Sequence, residues 1–308
     1  MLKVNSKKIE PGDTFIAIKS AVRDGHDYIE DAIDRGAACI IAESGQYDVK
    51  SIIVEDTRTY LANYLKELYE DKINKLTLIG ITGTNGKTTS AYLIYQLLNS
   101  LGFKTAYIGT IGFYLPDKHR PLVNTTPDLY DLYEMLVEAA EEECQYVAME
   151  VSSQALVTRR LEGINFDIAA FTNLTEDHLD FHGTMNKYKE AKLNLFNKVK
   201  KNGYTIINSD DSHGKAFALS SNNNIFFGTS GDYKISDIVL SVDQSNFTIT
   251  HNETRDIFLP LPGTYNIYNY MPAYIICDRI NLDMEQVIHN TRELKSPKGR
   301  YQVVKNES

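Results

Sequence analysis

Short apolar runs alternate with segments of helical periodicity in the N-terminal part of the chain. Apolar runs at 15–18, 38–42 and 51–54 predict strands, and the segments 28–35 and 57–70 show helical patterns. Because strands and helices alternate, we predict that this part forms a small α/β unit.

A second α/β region follows the polar stretch 70–75, and we therefore place a domain boundary near residue 73. This region begins with an apolar run at 76–81. Apolar residues then recur at helical spacing, and Gly102 follows them as a helix stop. The recurring residues are Ile94, Leu97, Leu98 and Leu101. Further strands are predicted at 105–109, 146–151, 168–172 and 204–208, and further helices at 128–142 and 186–199.

The alternation in this second region predicts a mainly parallel sheet covered by helices on both faces. Between 222 and 261 the pattern changes to short alternating segments, which predict antiparallel hairpins at a sheet edge. Segment 263–280 is helical again. We therefore predict an α/β fold with one domain over 1–73 and a second over 74–300.

The composition is typical of a globular chain. Of the 308 residues, 43% are hydrophobic and 24% are charged. The net charge of −9 argues against a nucleic-acid-binding face, because affinity for a duplex depends largely on clustered Lys and Arg. Local groups would therefore have to hold an anionic nucleotide.

The cysteines and the N-terminus indicate a cellular compartment. Cys39, Cys144 and Cys277 are odd in number and far apart, so they predict neither a disulfide framework nor a zinc cluster. Residues 1–13 lack the apolar core of a signal peptide, and no apolar run approaches the length of a membrane span. We therefore expect a cytoplasmic protein in a reducing environment.

A glycine-rich loop, residues 83–88, lies between the apolar run 76–81 and a helical pattern. Two glycines allow successive N–H groups to point at anionic oxygens, and the N-terminus of the following helix adds partial positive charge. Lys87 would reach the β- and γ-phosphates, and the Thr88 hydroxyl would bind Mg²⁺. The general pattern requires glycine at position 81, where this chain has Ile81, so the loop is a narrower variant.

Two polar segments follow predicted strands, where ligands gather in open α/β sheets. Glu150 ends an apolar run and is followed by Ser152 and Ser153. A carboxylate there can hold Mg²⁺, or it can cap a helix or remain solvated. The segment 172–183 contains two His and three carboxylates, which indicate either a site or turn caps. Lys192 lies in a helical pattern, and its residue type alone predicts a solvated surface lysine.

Several blocks, in order and spacing, resemble the Mur ligase family, the ATP-dependent amino-acid ligases of peptidoglycan synthesis. The loop has that family's form, which explains the misfit at Ile81. The other central blocks are 124–127 (Asn-Thr-Thr-Pro), 149–153 (Met-Glu-Val-Ser-Ser), 173–174 (Asn-Leu), 177–183 (Asp-His-Leu-Asp-Phe-His-Gly) and Tyr188 with Ala191-Lys192. The N-terminal segments 5–7, 11–13, 24–26 and 54–58 look like the uridine-binding domain of the family member that adds the third residue of the peptide.

The resemblance implies a ligase that adds meso-diaminopimelate or L-lysine to UDP-N-acetylmuramoyl-L-alanyl-D-glutamate through an acyl phosphate. ATP and Mg²⁺ would be the cofactors, and the UDP-linked dipeptide and an amino acid the partners. The domain 1–73 would bind the UDP-sugar, and 74–300 would be the ATP-binding ligase domain. Residues 301–308 would begin the hinge to a C-terminal domain, absent from this sequence, that carries the site of the incoming amino acid.

The resemblance also implies residue roles. The catalytic positions are Lys87, Lys192 and His178, and the metal positions are Thr88, Glu150, His178 and Lys192. The nucleotide positions are Gly83, Thr84, Asn85, Gly86, Lys87, Thr88, Thr89, Asn266, Asn269 and Arg300. The dipeptide positions are Asn124, Thr125, Thr126, Ser152, Thr158 and Arg160, and the uridine diphosphate positions are Val4, Ser6, Ala21, Val22 and Arg23. Lys192 matches the lysine that the family carbamylates, a change that replaces an ammonium, which two Mg²⁺ would repel, with two oxygens that share one negative charge.

Three alternatives remain at this point. The chain could be another ligase on the same fold, such as a folylpolyglutamate synthase, although the uridine-domain match and the block 124–127 argue against this. It could be a truncated or non-catalytic module that binds the UDP-dipeptide and ATP. A generic loop NTPase or kinase is disfavoured, because neither explains Glu150, His178 and Lys192 together.

Overall fold

The computed structural model describes residues 1–19, 23–218 and 223–300. The predicted uridine diphosphate contacts Ala21 and Val22 and the predicted hinge segment 301–308 lie outside the described residues.

The N-terminal part forms a small parallel sheet with helices packed on it. Its strands are β1 (Leu2–Lys3), β2 (Thr14–Ile16), β3 (Cys39–Ala42) and β4 (Lys50–Ile53), in that spatial order. Its helices are α1 (Ile29–Asp34) and α2 (Thr57–Ile73), with short 3₁₀ turns at Ser6–Lys8 and Gly25–Tyr28. The Asp56 side chain accepts a hydrogen bond from the Thr59 N–H and so caps the start of α2. The predicted alternation of strands and helices is confirmed here.

The remaining strands form one large sheet. They are β5 (Thr77–Thr82), β6 (Thr105–Gly109), β7 (Gly112–Tyr114), β8 (His119–Arg120), β9 (Tyr146–Glu150), β10 (Phe166–Phe171), β11 (Val199–Asn208), β12 (Asn223–Gly228), β13 (Tyr233–Leu240), β14 (Ser245–Thr250) and β15 (Thr254–Leu259). Their spatial order is β15-β14-β13-β12-β11-β10-β5-β9-β6-β7-β8. The central pairs are parallel, as predicted.

The helices of this part are α3 (Lys87–Ser100), α4 (Leu129–Glu141), α5 (Ser153–Val157), α6 (Leu179–His182), α7 (Met185–Phe196), α8 (Thr264–Arg279) and α9 (Met284–Thr291), with a 3₁₀ turn at Gly214–Phe217. Pattern reasoning predicted α3, α4, α7 and α8 to within a few residues. Within the described ranges, the helices are too short or too polar to cross a membrane.

The predicted hairpin region 222–261 is only partly antiparallel. β13, β14 and β15 form an antiparallel meander at one edge, as predicted. β12, however, pairs in parallel with β11 and with β13, so it extends the central sheet. The opposite edge also ends in antiparallel strands, β7 and β8, which the pattern did not predict.

The central strands of the large sheet are buried on both faces, and this explains their continuous apolar runs. Leu78 of β5 packs in one hydrophobic cluster together with α4, and its neighbour Ile79 packs in the other cluster together with α3 and α8. Both side chains are at most 1% exposed. Burial of each such side chain contributes about 1.5–3 kcal/mol.

The small unit packs directly on the large one. Leu61 of α2 lies in the same hydrophobic cluster as Leu132 of α4. Polar contacts reinforce this packing, since Arg58 Nη1 lies 2.7 Å from Asp128 Oδ1 and Arg159 Nη1 lies 2.7 Å from Asp56 Oδ2. The two predicted domains therefore share a core, and their boundary near residue 73 stays a prediction.

Candidate functional site

The glycine-rich loop connects the end of β5 to the start of α3. Gly86 adopts a left-handed conformation (φ 87°) immediately before α3. A Cβ at Gly86 would lie 2.2 Å from Asn269 Oδ1, and a Cβ at Gly83 would lie 1.9 Å from Thr172 Oγ1. Both positions therefore require glycine, because the loop runs against two neighbouring segments.

The segment that follows β10 holds the loop in place. The N–H of Thr84 donates to Asn173 O at 2.8 Å, and the N–H of Asn85 donates to Asn173 Oδ1 at 2.9 Å. In return, Thr172 Oγ1 donates to Asn85 O at 2.6 Å. These bonds bring the polar segment 172–183 beside the glycine-rich loop.

The side chain of Lys87 folds back onto the glycine-rich loop that precedes it. Its Nζ donates to Gly83 O at 2.8 Å and to Thr84 O at 2.7 Å. Burial lowers the pKa of Lys87, and the carboxylates of Glu150 and Asp177 oppose this shift. The amine therefore lies where an anion bound in the loop would contact it.

Glu150 ends β9 and is 1% exposed. Its Oε2 accepts hydrogen bonds from Thr88 Oγ1 at 2.8 Å and Thr110 Oγ1 at 3.1 Å. Its Oε1 accepts from Tyr107 Oη at 2.5 Å and from the Thr110 N–H at 2.7 Å. Burial raises the pKa of Tyr107, and the neighbouring carboxylate raises it further, so the phenol keeps its proton and donates.

Among the described residues Glu150 has neutral donors and forms no salt bridge. A buried carboxylate without a cation is costly, and carboxylate and hydroxyl oxygens are the ligands that Mg²⁺ prefers. The donor chemistry at Glu150 and Thr88 therefore fits a hard divalent cation. Sequence reasoning missed Tyr107 and Thr110, because the apolar run that contains Tyr107 indicated only a buried strand.

Lys192 lies on α7 and is 1% exposed. Its Nζ donates to Gly83 O at 2.8 Å and lies 4.3 Å from the centroid of the Tyr188 ring. Burial lowers its pKa well below the ordinary value, Lys87 lowers it further, and Asp177 opposes the shift. The residue type alone predicted a solvated surface lysine, and that expectation is wrong.

His178 immediately precedes α6 in a left-handed conformation (φ 51°). Its side chain is half-exposed, and its Nε2 lies 3.6 Å from Asp177 Oδ2. Its neighbour His182 is buried and pairs with Ser153 Oγ at 2.9 Å, and burial lowers the pKa of His182. Across the described ranges, no group of three or more His, Cys, Asp or Glu side chains lies together in a way that could hold a metal ion.

One cavity of about 820 Å³ joins these elements. The predicted site residues that line it are Thr84, Asn85, Gly86, Lys87, Thr88, Thr89, Thr125, Glu150, Ser152, His178, Lys192, Asn266, Asn269 and Arg300. Tyr188, Tyr265 and Tyr268 also line it, although the sequence did not single them out as site residues. The glycine-rich loop, the carboxyl ends of β9 and β10, and α8 therefore all face this cavity.

Other predicted residues lie behind or away from this lining. Thr126 Oγ1 donates to Glu150 O at 2.9 Å, and Arg160 Nη1 donates to Thr126 O at 2.9 Å. Thr158 Oγ1 donates to the backbone at Gln154 O. Asn124 is exposed.

Three predicted residues belong to the N-terminal unit. Ser6 is buried, Val4 is half-buried and Arg23 is exposed. None of the three is among the residues that line the cavity described above. Their predicted contact with uridine diphosphate stays a prediction.

The α8 side of the cavity contains the predicted adenine-side residues. Asn266 is buried and its Nδ2 donates to Pro262 O at 2.8 Å. Asn269 faces Gly86 across the loop. Arg300 lies at the end of the described chain, where its backbone N–H donates to Pro297 O at 3.1 Å.

Comparison with known proteins identifies related sequences and a related structure. The model described as "Mur ligase middle domain" matches residues 81–277, and the one described as "Mur ligase family, catalytic domain" matches residues 1–72. The chain is 36% identical to the UDP-N-acetylmuramoyl-L-alanyl-D-glutamate–2,6-diaminopimelate ligase of Clostridium perfringens, over 99% of this chain and 65% of that protein. It is 36% identical to the ligase of the same name from Fusobacterium nucleatum, over 98% of this chain and 63% of that protein.

A solved structure of a UDP-N-acetylmuramoyl-L-alanyl-D-glutamate–2,6-diaminopimelate ligase superimposes with a TM-score of 0.86 at 29% identity, over 99% of this chain and 65% of that one. The chain therefore spans slightly less than two thirds of the length of these relatives.

Proposed function

Because the chain belongs to the Mur ligase family, we propose that it acts in ATP-dependent ligation of a third amino acid to UDP-N-acetylmuramoyl-L-alanyl-D-glutamate in peptidoglycan synthesis. The observation that carries this proposal is the convergence of Lys87, Glu150 and Lys192 on one cavity. Both relatives are named as diaminopimelate ligases, so diaminopimelate is the amino acid that we favour over L-lysine. In this proposal 1–73 binds the UDP-sugar and 74–300 binds ATP.

The glycine-rich loop would hold the phosphates of ATP. Its N–H groups and the N-terminus of α3 attract anions. Lys87, which now binds two loop carbonyls, would turn its Nζ to the β- and γ-phosphates. Asn266, Asn269 and Arg300 would contact the rest of the nucleotide from the α8 side.

The residues that would hold Mg²⁺ are Thr88 and Glu150, together with His178 and Lys192. Mg²⁺ would neutralise the phosphate oxygens that approach the substrate carboxylate. Among the described residues, the groups that donate to Glu150 are neutral, so none of them pairs with it as a cation in place of Mg²⁺.

Lys192 would act as a carbamate. Because burial and Lys87 lower its pKa, its Nζ has a larger neutral fraction than an exposed lysine. The Nζ lone pair would form a bond to the carbon of CO₂, and the amine would release a proton to solvent. The resulting carbamate would turn a cation beside Lys87 into an anionic ligand for Mg²⁺.

The ligation then follows from the chemistry of the substrates. The γ-phosphoryl group would pass to the free carboxylate of the dipeptide, and ADP would leave. The amine of the third amino acid would then attack the carbonyl carbon of the acyl phosphate, phosphate would leave, and the nitrogen would release a proton. A free carboxylate is anionic and has a poor leaving group, so it needs this activation. The protein mainly positions the groups and stabilises charge.

Binding and turnover test the proposal. Calorimetry should show that this chain binds UDP-N-acetylmuramoyl-L-alanyl-D-glutamate. Mass spectrometry after addition of ATP, Mg²⁺ and diaminopimelate then decides between a ligase, which gives a ligated product, and a binding module, which does not. L-Lysine in place of diaminopimelate is the matched control for amino-acid choice. Binding of both substrates without product would favour the binding-module alternative, and failure to bind the UDP-dipeptide would refute the proposal.

A further inference from the structure

Glu150 is oriented from behind the cavity by a residue that does not line it. We propose that Tyr107 is a positioning residue for the magnesium site, and that its hydroxyl fixes Glu150 Oε1 so that Oε2 is presented beside Thr88. This inference rests on the proposed function, because it requires Glu150 to hold the cation. Tyr107 lies on β6, 43 residues before Glu150 in the sequence.

The two oxygens of Glu150 have different surroundings. Oε1 accepts two hydrogen bonds, from Tyr107 Oη at 2.5 Å and from the Thr110 N–H at 2.7 Å. A carboxylate oxygen has two lone pairs, so these two donors occupy both hydrogen-bond acceptor positions of Oε1. Oε2 accepts from the hydroxyls of Thr88 and Thr110, which both line the cavity and can rotate. A cation in the cavity is therefore directed to Oε2.

Gly109 leaves the space in which the Tyr107 hydroxyl and the Glu150 carboxylate meet. A Cβ on Gly109 would lie 2.2 Å from Glu150 Oε1 and 2.3 Å from Tyr107 Oη. Gly109 does not have a positive φ, so its backbone conformation does not demand glycine. What demands glycine is the pair of oxygen atoms that meet beside it.

The ring of Tyr107 has little freedom to move its hydroxyl away. The residue is fully buried. Tyr92 and Tyr114 both pack against it edge to face, with centroids 5.7 Å away. Such contacts fix the plane of the ring. The hydroxyl is consequently held at Oε1 by packing as well as by the hydrogen bond.

A phenol suits this position because it is neutral. Lysine or arginine at the same place would pair with Glu150 and cancel the charge that a cation needs. A neutral donor orients the carboxylate and leaves its charge for the metal. Mutation of a group that hydrogen-bonds to a metal ligand without touching the metal typically lowers metal affinity 10- to 100-fold.

Tyr107→Phe tests the inference, because it removes only the hydroxyl. The measurement is calorimetric binding of ATP to the full chain over a series of Mg²⁺ concentrations, and again without Mg²⁺. We expect the Mg²⁺ concentration for half-maximal ATP binding to rise about 10-fold, with Mg²⁺-free ATP affinity unchanged. Tyr95→Phe is the matched control: it removes a hydroxyl from the same aromatic cluster, one that donates to Leu115 O instead. We expect it to leave the Mg²⁺ requirement unaltered.

The outcomes separate this inference from the proposed function. If the parent chain binds no ATP at any Mg²⁺ concentration, the proposed function fails and the inference fails with it. If it binds ATP with no dependence on Mg²⁺, the inference fails, while the proposed function still depends on its own test with the UDP-dipeptide. If the parent depends on Mg²⁺ and Tyr107→Phe has the same requirement, the inference alone is overturned. It is also overturned if Tyr107→Phe weakens ATP binding equally with and without Mg²⁺, since that shows a merely structural role.

A second variant keeps the test decisive if Tyr107→Phe does not fold. Gly109→Ala retains the phenol but pushes it and Glu150 Oε1 apart. We expect the same rise in the Mg²⁺ requirement from this variant. An unchanged requirement in folded Gly109→Ala overturns the inference.

Discussion

Replacing Lys192 with methionine separates the charge of its side chain from its volume. Lys192 is buried, its Nζ donates to Gly83 O, and its Nζ lies over the ring of Tyr188. Methionine keeps a long unbranched side chain, so little core volume is lost. The lost hydrogen bond costs about 1 kcal/mol, and the removal of a buried amine offsets part of this cost. We expect the free energy of unfolding to change by less than about 2 kcal/mol.

The effect of Lys192→Met on turnover should be far larger. Removing one preorganised charge-stabilising group typically costs about 100- to 1000-fold in rate. We therefore expect acyl-phosphate formation, followed as ADP release in the presence of the UDP-dipeptide, to fall at least about 100-fold. Lys187→Met is the matched control, because Lys187 is an exposed lysine on the same helix.

Lys192→Ala extends the test to the carbamate. Alanine removes three methylenes as well as the amine, so stability should fall by about 2–3 kcal/mol in urea unfolding. The vacated space would admit a short-chain carboxylate, and we expect added acetate or propionate to restore part of the activity. Unchanged turnover in Lys192→Met would refute the proposed role of this lysine.

Three further predictions concern other parts of the chain. Gly86→Ala should weaken ATP binding at least about 10-fold by calorimetry, because its Cβ meets Asn269 and its φ is positive; equal affinity would contradict the loop geometry. Asp128→Asn should lower the free energy of urea unfolding by about 1 kcal/mol at neutral pH, because it removes the charge that pairs with buried Arg58. Burial raises the pKa of Asp128, but Arg58 and other donors lower it below its ordinary value overall, so this contribution is present above the unfolded-state pKa and is lost as the pH falls through the folded-state pKa; the variant and parent should therefore converge in acid. Arg160→Gln should raise the KM for the UDP-dipeptide more than it lowers kcat in steady-state assays, and an unaltered KM would remove Arg160 from the substrate contacts.

Local pattern was sufficient for most elements of the central region. β6 lies at its predicted bounds, and α4 lies within one residue of them. The pattern was insufficient where pairing depends on distant strands. The pattern predicted β12 as part of a hairpin. It pairs in parallel with β11 instead, because strand pairing depends on how all the strands of the sheet pack together and not on the local pattern. β7 and β8 were missed because they are three and two residues long and give little periodic signal.

The candidate site likewise contains residues that the sequence predicted and residues that it did not. The order and spacing of the blocks pointed to Lys87, Glu150 and Lys192, and the structure places all three on one cavity. The residues around Glu150 were not predictable, because a hydrogen bond from Tyr107 leaves no trace in the apolar pattern of β6. The predicted metal position His178 lines the same cavity with its side chain half-exposed, and its role as a ligand stays a prediction.

The sequence by itself determined where the glycine-rich loop ends and α3 begins, because glycine accommodates the positive φ of Gly86 immediately before the helix. Only the tertiary structure decided the environment of the charged groups. Lys192 is buried and donates to Gly83 O, which lies 109 residues away in the chain. Glu150 accepts a hydrogen bond from Tyr107, which lies on another strand. Burial and hydrogen bonding set the charge and orientation of such groups, and both depend on which distant segments the fold brings together.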